Sequence, residues 1–176
     1  SFERVERNFE QYGEPVLCVR DFAYGNKLAD VSLDLYPGEI LGLAGLMGSG
    51  RTELVESIFG IRRNWTGDVT MRGEPIKSKK DAMNKGIALV PEDRRQEGLI
   101  LQHSIKSNFM LPSVRKMKKG FLIDDKKGAD ISREYIEKLS IKADSINQMA
   151  MLLSGGNQQK IVLGKWLAVS YTHLRA

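Results

Sequence analysis

Gly45, Gly48, Gly50, Arg51 and Thr52 stand at the spacing of a phosphate-binding loop in the stretch "GLMGSGRTEL". Such a loop reads Gly, four residues, then Gly-Lys-Ser/Thr, and it captures an anion with converging backbone N–H groups. Glycine permits the dihedrals this needs and puts no Cβ in the way. A helix beginning at the loop aims its positive end at the same phosphate. Gly45, Met47, Gly48, Ser49, Gly50, Arg51 and Thr52 are therefore candidate nucleotide-binding residues, and the Thr52 hydroxyl is a candidate ligand for Mg²⁺. The departure is Arg51, because a guanidinium is larger, planar and forked where lysine offers a compact ammonium. The expectation is retained nucleotide binding with impaired hydrolysis. The blander alternative is a glycine-rich turn ahead of an ordinary helix.

A second constellation is "LLSGGNQQKIVLGKWLA", residues 152–168. Ser154, Gly155 and Gly156 precede a helical pattern with Ile161, Val162 and Leu167 apolar. Free N–H groups and a helix dipole would again face an anion. A capped helix start with loose glycines is the alternative for Ser-Gly-Gly alone. The longer run through Asn157, Gln158 and Gln159, placed 102 residues after Thr52, is more specific.

Positioning these groups needs particular elements. "VLCVRDF" is strand-like, and "LADVSLDLYPGE" alternates Val31, Leu33 and Leu35 with Ser32, Asp34 and Tyr36, the period of a half-buried strand. "EILGLAG" is apolar without alternation, as for a strand covered on both faces. "TELVESIFG" reads as a helix with Leu54, Val55, Ile58 and Phe59 on one face and Gly60 as its stop. "GDVTMRGEPI" predicts a hairpin, "DAMNKG" a short helix and "IALVPED" a second buried strand. Ser104 is placed to cap a helix over "IKSNFML". "GADISREYIEKLSI" has helical spacing at Ile131, Tyr135, Ile136 and Leu139, and no later strand is evident. A mixed α/β front half thus leads into a helical back half.

The bulk properties bound the rest. The 176 residues suffice for one compact domain, and 41% hydrophobic with 28% charged residues is ordinary for a globular chain. No apolar run reaches the roughly 18 residues a membrane span needs. The charged start "SFERVERNFEQYGE" is not a secretory signal. Cys18 is the sole cysteine, so no internal disulfide forms, a reducing compartment is the simple reading, and its apolar strand suggests a buried inert thiol. The net charge of +5 permits a nucleic-acid partner. The lysines of "IKSKKD" and "VRKMKKG" nonetheless read as solvated faces, without the interleaved aromatics of single-strand binders.

On "GEILGLAGLMGSGRTEL", "VPEDRRQEGL" and "LSGGNQQK", the chain resembles the nucleotide-binding domains of ABC transporters. It most resembles the second of two ATPase domains carried in one polypeptide by bacterial monosaccharide importers of the ribose/galactose/xylose type. The resemblance covers residues 16–168, and it makes Arg51 and "PEDRR" family traits. It implies an α/β P-loop NTPase fold: a RecA-like core with an antiparallel β subdomain (16–100), then an α-helical subdomain carrying the signature (101–168). Residues 1–15 would be a linker from an upstream domain.

The resemblance also implies ATP and Mg²⁺ as cofactors, with Ser154, Gly155 and Gly156 capping the γ-phosphate of ATP held by the opposite domain. Glu92 falls where most such domains place a glutamine near Mg²⁺ and the water. Phe22 and Tyr24 are candidates for the aromatic that stacks on adenine. The implied partners are the first ATPase domain of the same full-length chain, permease subunits and, indirectly, a periplasmic sugar-binding protein. The implied place is the cytoplasmic face of the inner membrane.

Two features depart from the family. A strand ending in Asp-Glu-Pro, which supplies the Mg²⁺-orienting Asp and the general base, should follow "KWLA" and is not in the sequence. Instead "VSYTHLRA" follows, which resembles a translated sequencing adapter, so residues 169–176 are expected to be an artefactual tail and His173 has no assigned role. The chain, opening at Ser1, reads as a fragment that does not hydrolyse ATP unaided. Two rivals stand beside the importer. One is a soluble ABC-type ATPase acting on nucleic acid or ribosomes, which would need charged insertions not seen here. The other is a non-hydrolysing regulatory nucleotide-binding module.

Overall fold

A computed structural model describes residues 13–113, 118–119 and 122–174. The chain divides into two units, 1–89 and 90–176. In the first, β1 (Leu17–Tyr24) pairs with β2 (Leu28–Leu35) across a tight turn and with β3 (Trp65–Met71) on its other edge. A short β4 (Glu74–Pro75) folds back on β3, giving an antiparallel sheet of order β2-β1-β3-β4. Inward residues at period 2 set the register: Val19 pairs with Leu33 on one side and Val69 on the other. The register shifts after Arg20, where Asp21 has φ 48°, as in a β-bulge. Arg20 closes the β1–β2 edge with two bonds to the Asp34 carboxylate, 2.6 and 2.8 Å. Partial burial, and next to it Asp34, push the Cys18 thiol up in pKa, so the neutral thiol is favoured.

Helix α1 (Arg51–Ile58) forms where the sequence places it, with Leu54, Ile58 and the following Phe59 buried and the helix stopped at Gly60. Ser78 caps α2 (Lys79–Asn84) by accepting from Asp81 N–H at 3.2 Å.

Two expected strands are absent. Residues 39–46 and 87–90 carry no ladder, and Ile40 and Leu46 face solvent at 79% and 86% exposure. An apolar run becomes a strand only when a neighbour satisfies its N–H and C=O groups. Among the described residues no segment pairs with either run.

The second unit is helical. It contains α3 (Ile105–Met110), α4 (Asp125–Lys138) and α5 (Gly155–Leu174). One unexpected addition is the two-residue pair β5 (Lys118–Lys119) and β6 (Leu122–Ile123). Ser104 caps α3 by accepting from Ser107 N–H, as its position predicts, and Asp124 does the same for α4 from Lys127 N–H. Ile105, Phe109, Ile131, Tyr135, Ile161 and Val162 share one core, and Ile136 and Leu139 pack against it. The Phe109 and Tyr135 rings stack with centroids 6.1 Å apart. Helix α5 continues through Leu174, so the backbone shows no break at residue 169, while residues 175–176 lie outside the described part.

Candidate functional site

The loop residues come together in the first unit. Ser49 N–H donates to Leu46 O at 3.1 Å, closing a turn through Met47 and Gly48. Gly50 then starts α1 with φ 88°, and a Cβ there would lie 2.6 Å from the Leu28 side chain, so the position demands glycine on both counts. A Cβ on Gly45 would lie 2.4 Å from Ser49 Oγ and 3.6 Å from Arg51 Cδ. The Ser49 and Arg51 side chains therefore lie against Gly45, in a cradle that a larger residue would fill. No side chain caps α1. Its first-turn N–H groups have no partner within the helix. Met47, Arg51 and Thr52 are exposed, Met47 at 98%. This geometry fits an anion of phosphate type, and the Thr52 hydroxyl is free to meet a cation.

Glu53, one residue further, is buried and ion-paired to Lys27 of the β1–β2 turn. Lys27, together with the Glu53 backbone N–H, holds its carboxyl below the ordinary value of 4.5. The charge Lys27 carries is thus spent on Glu53.

The two adenine candidates separate. Phe22 is fully buried, 5.4 Å from the Trp65 ring by centroids, and so is a core residue with no exposed face to offer a ring. Tyr24 is half-buried and has the Arg62 guanidinium 5.8 Å from its ring centroid. The Tyr24 hydroxyl and an ion pair with Glu56 keep Arg62 protonated far above its ordinary range.

Ser154, Gly155 and Gly156 gather at the start of α5 in the second unit. Ser154 O accepts from Gln158 N–H at 3.0 Å, and Ser154 Oγ accepts from the Asn157 amide at 3.1 Å. The Asn157 oxygen in turn accepts from Lys142 N–H at 3.1 Å. Gln158 is buried and donates to Ala150 O at 3.1 Å and Leu153 O at 3.2 Å, holding the chain that enters the turn. Ser154 and Gly156 stay exposed, and the first turn of α5 carries no acidic residue. Glu92 is also exposed, just before Asp93 caps a wide π-type turn, Arg94–Gly98, by accepting from Arg95 and Gln96 N–H.

Three residues that organise this region have no role assigned from the sequence, although Arg94 and Lys165 lie within quoted stretches. Asn108 is fully buried; its oxygen accepts from Ile100 N–H at 2.9 Å and its amide donates to Ile100 O and Ser104 O at 3.0 Å. Arg94 lies over Gly155 and Lys165 donates to Gly98 O. An Asn at the i+3 position of an otherwise apolar stripe, Ile105 and Phe109, is the one signal that could have found Asn108. Among the described residues no His, Cys, Asp and Glu side chains cluster as a metal-binding group, and no helix is long and apolar enough to cross a membrane.

A family model described as ABC transporter matches residues 28–174. The chain is 48% identical to the ribose import ATP-binding protein RbsA 1 of Agrobacterium fabrum over 159 residues, 89% of this chain and 31% of that protein. It is 44% identical to the ribose import ATP-binding protein RbsA of Clostridium tetani over 161 residues, 90% of this chain and 32% of the relative. It is 41% identical to the arabinose import ATP-binding protein AraG of Pectobacterium atrosepticum over 160 residues, 89% and 32% of the two chains. The chain thus spans about a third of the length of these relatives. Among solved structures it is similar to cbiO1 from Clostridium perfringens, part of the ABC transporter complex cbiONQ, with TM-score 0.69 and 17% identity over 90% of this chain and 63% of that one. That likeness shows the ABC ATPase fold expected from the sequence.

Proposed function

Because this chain belongs to the ABC transporter family, we propose that it is part of the ATP-binding subunit of a monosaccharide importer. The observation that carries this reading is the identity of 41–48% to ribose and arabinose import ATP-binding proteins across about nine-tenths of the chain. Gly45–Gly50 and the first turn of α1 hold the phosphates of ATP, and Thr52 meets Mg²⁺. When bound, Mg²⁺-ATP supplies a phosphoryl group whose hydrolysis drives import. Arg51 runs its stem past Gly45 at Cδ and carries a forked cation where a lysine would present a point charge, which supports a loop that retains the nucleotide and splits it poorly. Tyr24 is the remaining adenine candidate.

Ser154 and Gly156 are exposed on either side of the half-buried Gly155, and the three complete the site of a partner ATPase domain, which the resemblance puts in the same full-length polypeptide. The subunit would sit on the cytoplasmic face of the inner membrane against permease subunits that receive sugar from a periplasmic binding protein. The two turns are thereby unequal. In the intact importer reconstituted in vesicles, Ser154→Arg should lower sugar uptake by about a hundredfold, the scale of losing a phosphate-facing donor set. Arg51→Ala should lower it only about threefold. Equal losses would sink the asymmetry, and an absence of ATP-dependent sugar uptake would sink the importer reading.

A further inference from the structure

Among the side chains near the signature turn, Arg94 has no role in the reading above. Its guanidinium takes the space a side chain on Gly155 would need: a Cβ there would lie 2.5 Å from Nη2, 3.4 Å from Cζ and 3.9 Å from Nε. Nε is buried without a hydrogen-bond acceptor, and among the described residues Arg94 has no ion-pair partner. A cation at a helix N-terminus is electrostatically unfavourable, so helix stability does not explain this placement.

The turn that carries Arg94 is fixed at both ends. Asp93 caps its start. At its finish, Gly98 O accepts from the buried Lys165 ammonium, and a Cβ on Gly98 would lie 3.0 Å from Val162 Cγ2. Arg94 and Gly98 therefore grip α5 at residue 155 and again at residues 162 and 165, two to three helical turns apart.

We propose that Arg94 is a positioning residue for the signature turn: by lying over Gly155 it fixes the direction of the Ser154–Gly156 backbone N–H groups. The inference rests on the reading that this turn completes a partner domain's nucleotide site. It gives Gly155 a reason to be glycine that is independent of phosphate, since any Cβ meets the guanidinium. It also ties the segment after the exposed Glu92 directly to the signature helix, through two residues of chain.

The test is a double-mutant cycle of Arg94→Ala and Gly155→Ala, read two ways. In this chain, hydrogen exchange is followed at the Gln158 amide, which is bonded to Ser154 O. Either single change should speed that exchange about tenfold, and the double should be no worse than one single. Multiplying effects would overturn the brace. In the intact importer, Arg94→Ala should lower kcat for ATP about tenfold with KM little changed. Arg94→Lys should not rescue it, because lysine lacks the flat fork that covers Gly155. Loss of turnover in Ser154→Arg with none in Arg94→Ala would overturn the positioning role and leave the site reading intact. If neither variant loses turnover, the site reading fails and the inference falls with it.

Discussion

At Gly45–Gly50 the chain turns with a Ser49–Leu46 backbone bond across the loop, Met47 wholly in solvent and an apolar approach segment that pairs with no strand among the described residues. At Ser154–Gly156 it turns between an Asn157–Ser154 bond, a buried Gln158 holding two carbonyls, and a guanidinium over Gly155. Both are glycine turns that open a helix, yet only the second is tied from several directions. Local bonds within one unit suffice to build the second. The first follows a segment that would need a strand partner distant in sequence, and among the described residues none pairs with it. A turn made by its own neighbourhood can be judged from that neighbourhood, whereas a phosphate loop inherits its rigidity from the sheet behind it.

The sharpest way to break this contrast is Asn108→Ala. Asn108 links residues 100 to 104, and the backbone of that stretch bonds to 146–151 through Ile105 N–H to Gln148 O and Ala150 N–H to His103 O, both 3.0 Å. Removing the amide leaves the Ile100 N–H without its acceptor and opens a void, while Ile100 O and Ser104 O keep their bonds from the His103 and Asn108 backbone N–H groups, and the change should cost roughly 2–3 kcal/mol. Urea unfolding followed by helix circular dichroism measures it. A loss below about 0.5 kcal/mol would mean the segment entering the signature is as loosely held as the phosphate loop.

Gly50→Ala probes the other turn. The φ of 88° strains any L-residue, and Leu28 must also move, so the expected cost is about 1–2 kcal/mol. The smaller figure follows from the surroundings, where the far end of a flexible leucine side chain absorbs the clash. A cost matching Asn108→Ala would mean the loop is held as firmly as the signature.

How legible each region was follows the same division. Helix α1, the β3–β4 hairpin, the Ser104 cap and the α4 stripe were readable because period and capping are local. The runs 39–46 and 87–90 read as strands from composition, but composition does not supply the partner that makes a strand. The loop candidates were named from spacing and the signature candidates from the family resemblance. The contacts of Arg94 and Lys165 were not legible, although both lie within quoted stretches, since a guanidinium over a glycine 61 positions later and an ammonium on a carbonyl 67 positions earlier leave no periodic trace. Phe22 and Tyr24 lie two apart on one strand, the spacing of a shared face, yet the register shifts between them and only Phe22 is swallowed by the core.

The smallest effect separates the two helix starts by charge. Helix α1 has Glu53 in its first turn, held by Lys27, while the first turn of α5 has no acid at all. Because the folded Glu53 pKa is depressed, its contribution to stability is fully present above the unfolded value near 4.5 and is lost as the pH falls through the lower folded value. Glu53→Gln should therefore be slightly less stable than the parent at pH 7, and the gap should narrow at a pH below the unfolded value near 4.5. Urea midpoints at the two pH values decide the matter. A gap that persists in acid would show that Glu53 acts through packing, leaving α1, like α5, with an N-terminus that no side-chain charge has already answered. A gap that narrows would mean that the Glu53–Lys27 ion pair acts at the first turn of α1 through its charge, a term that α5, with no acidic residue in its first turn, does not have.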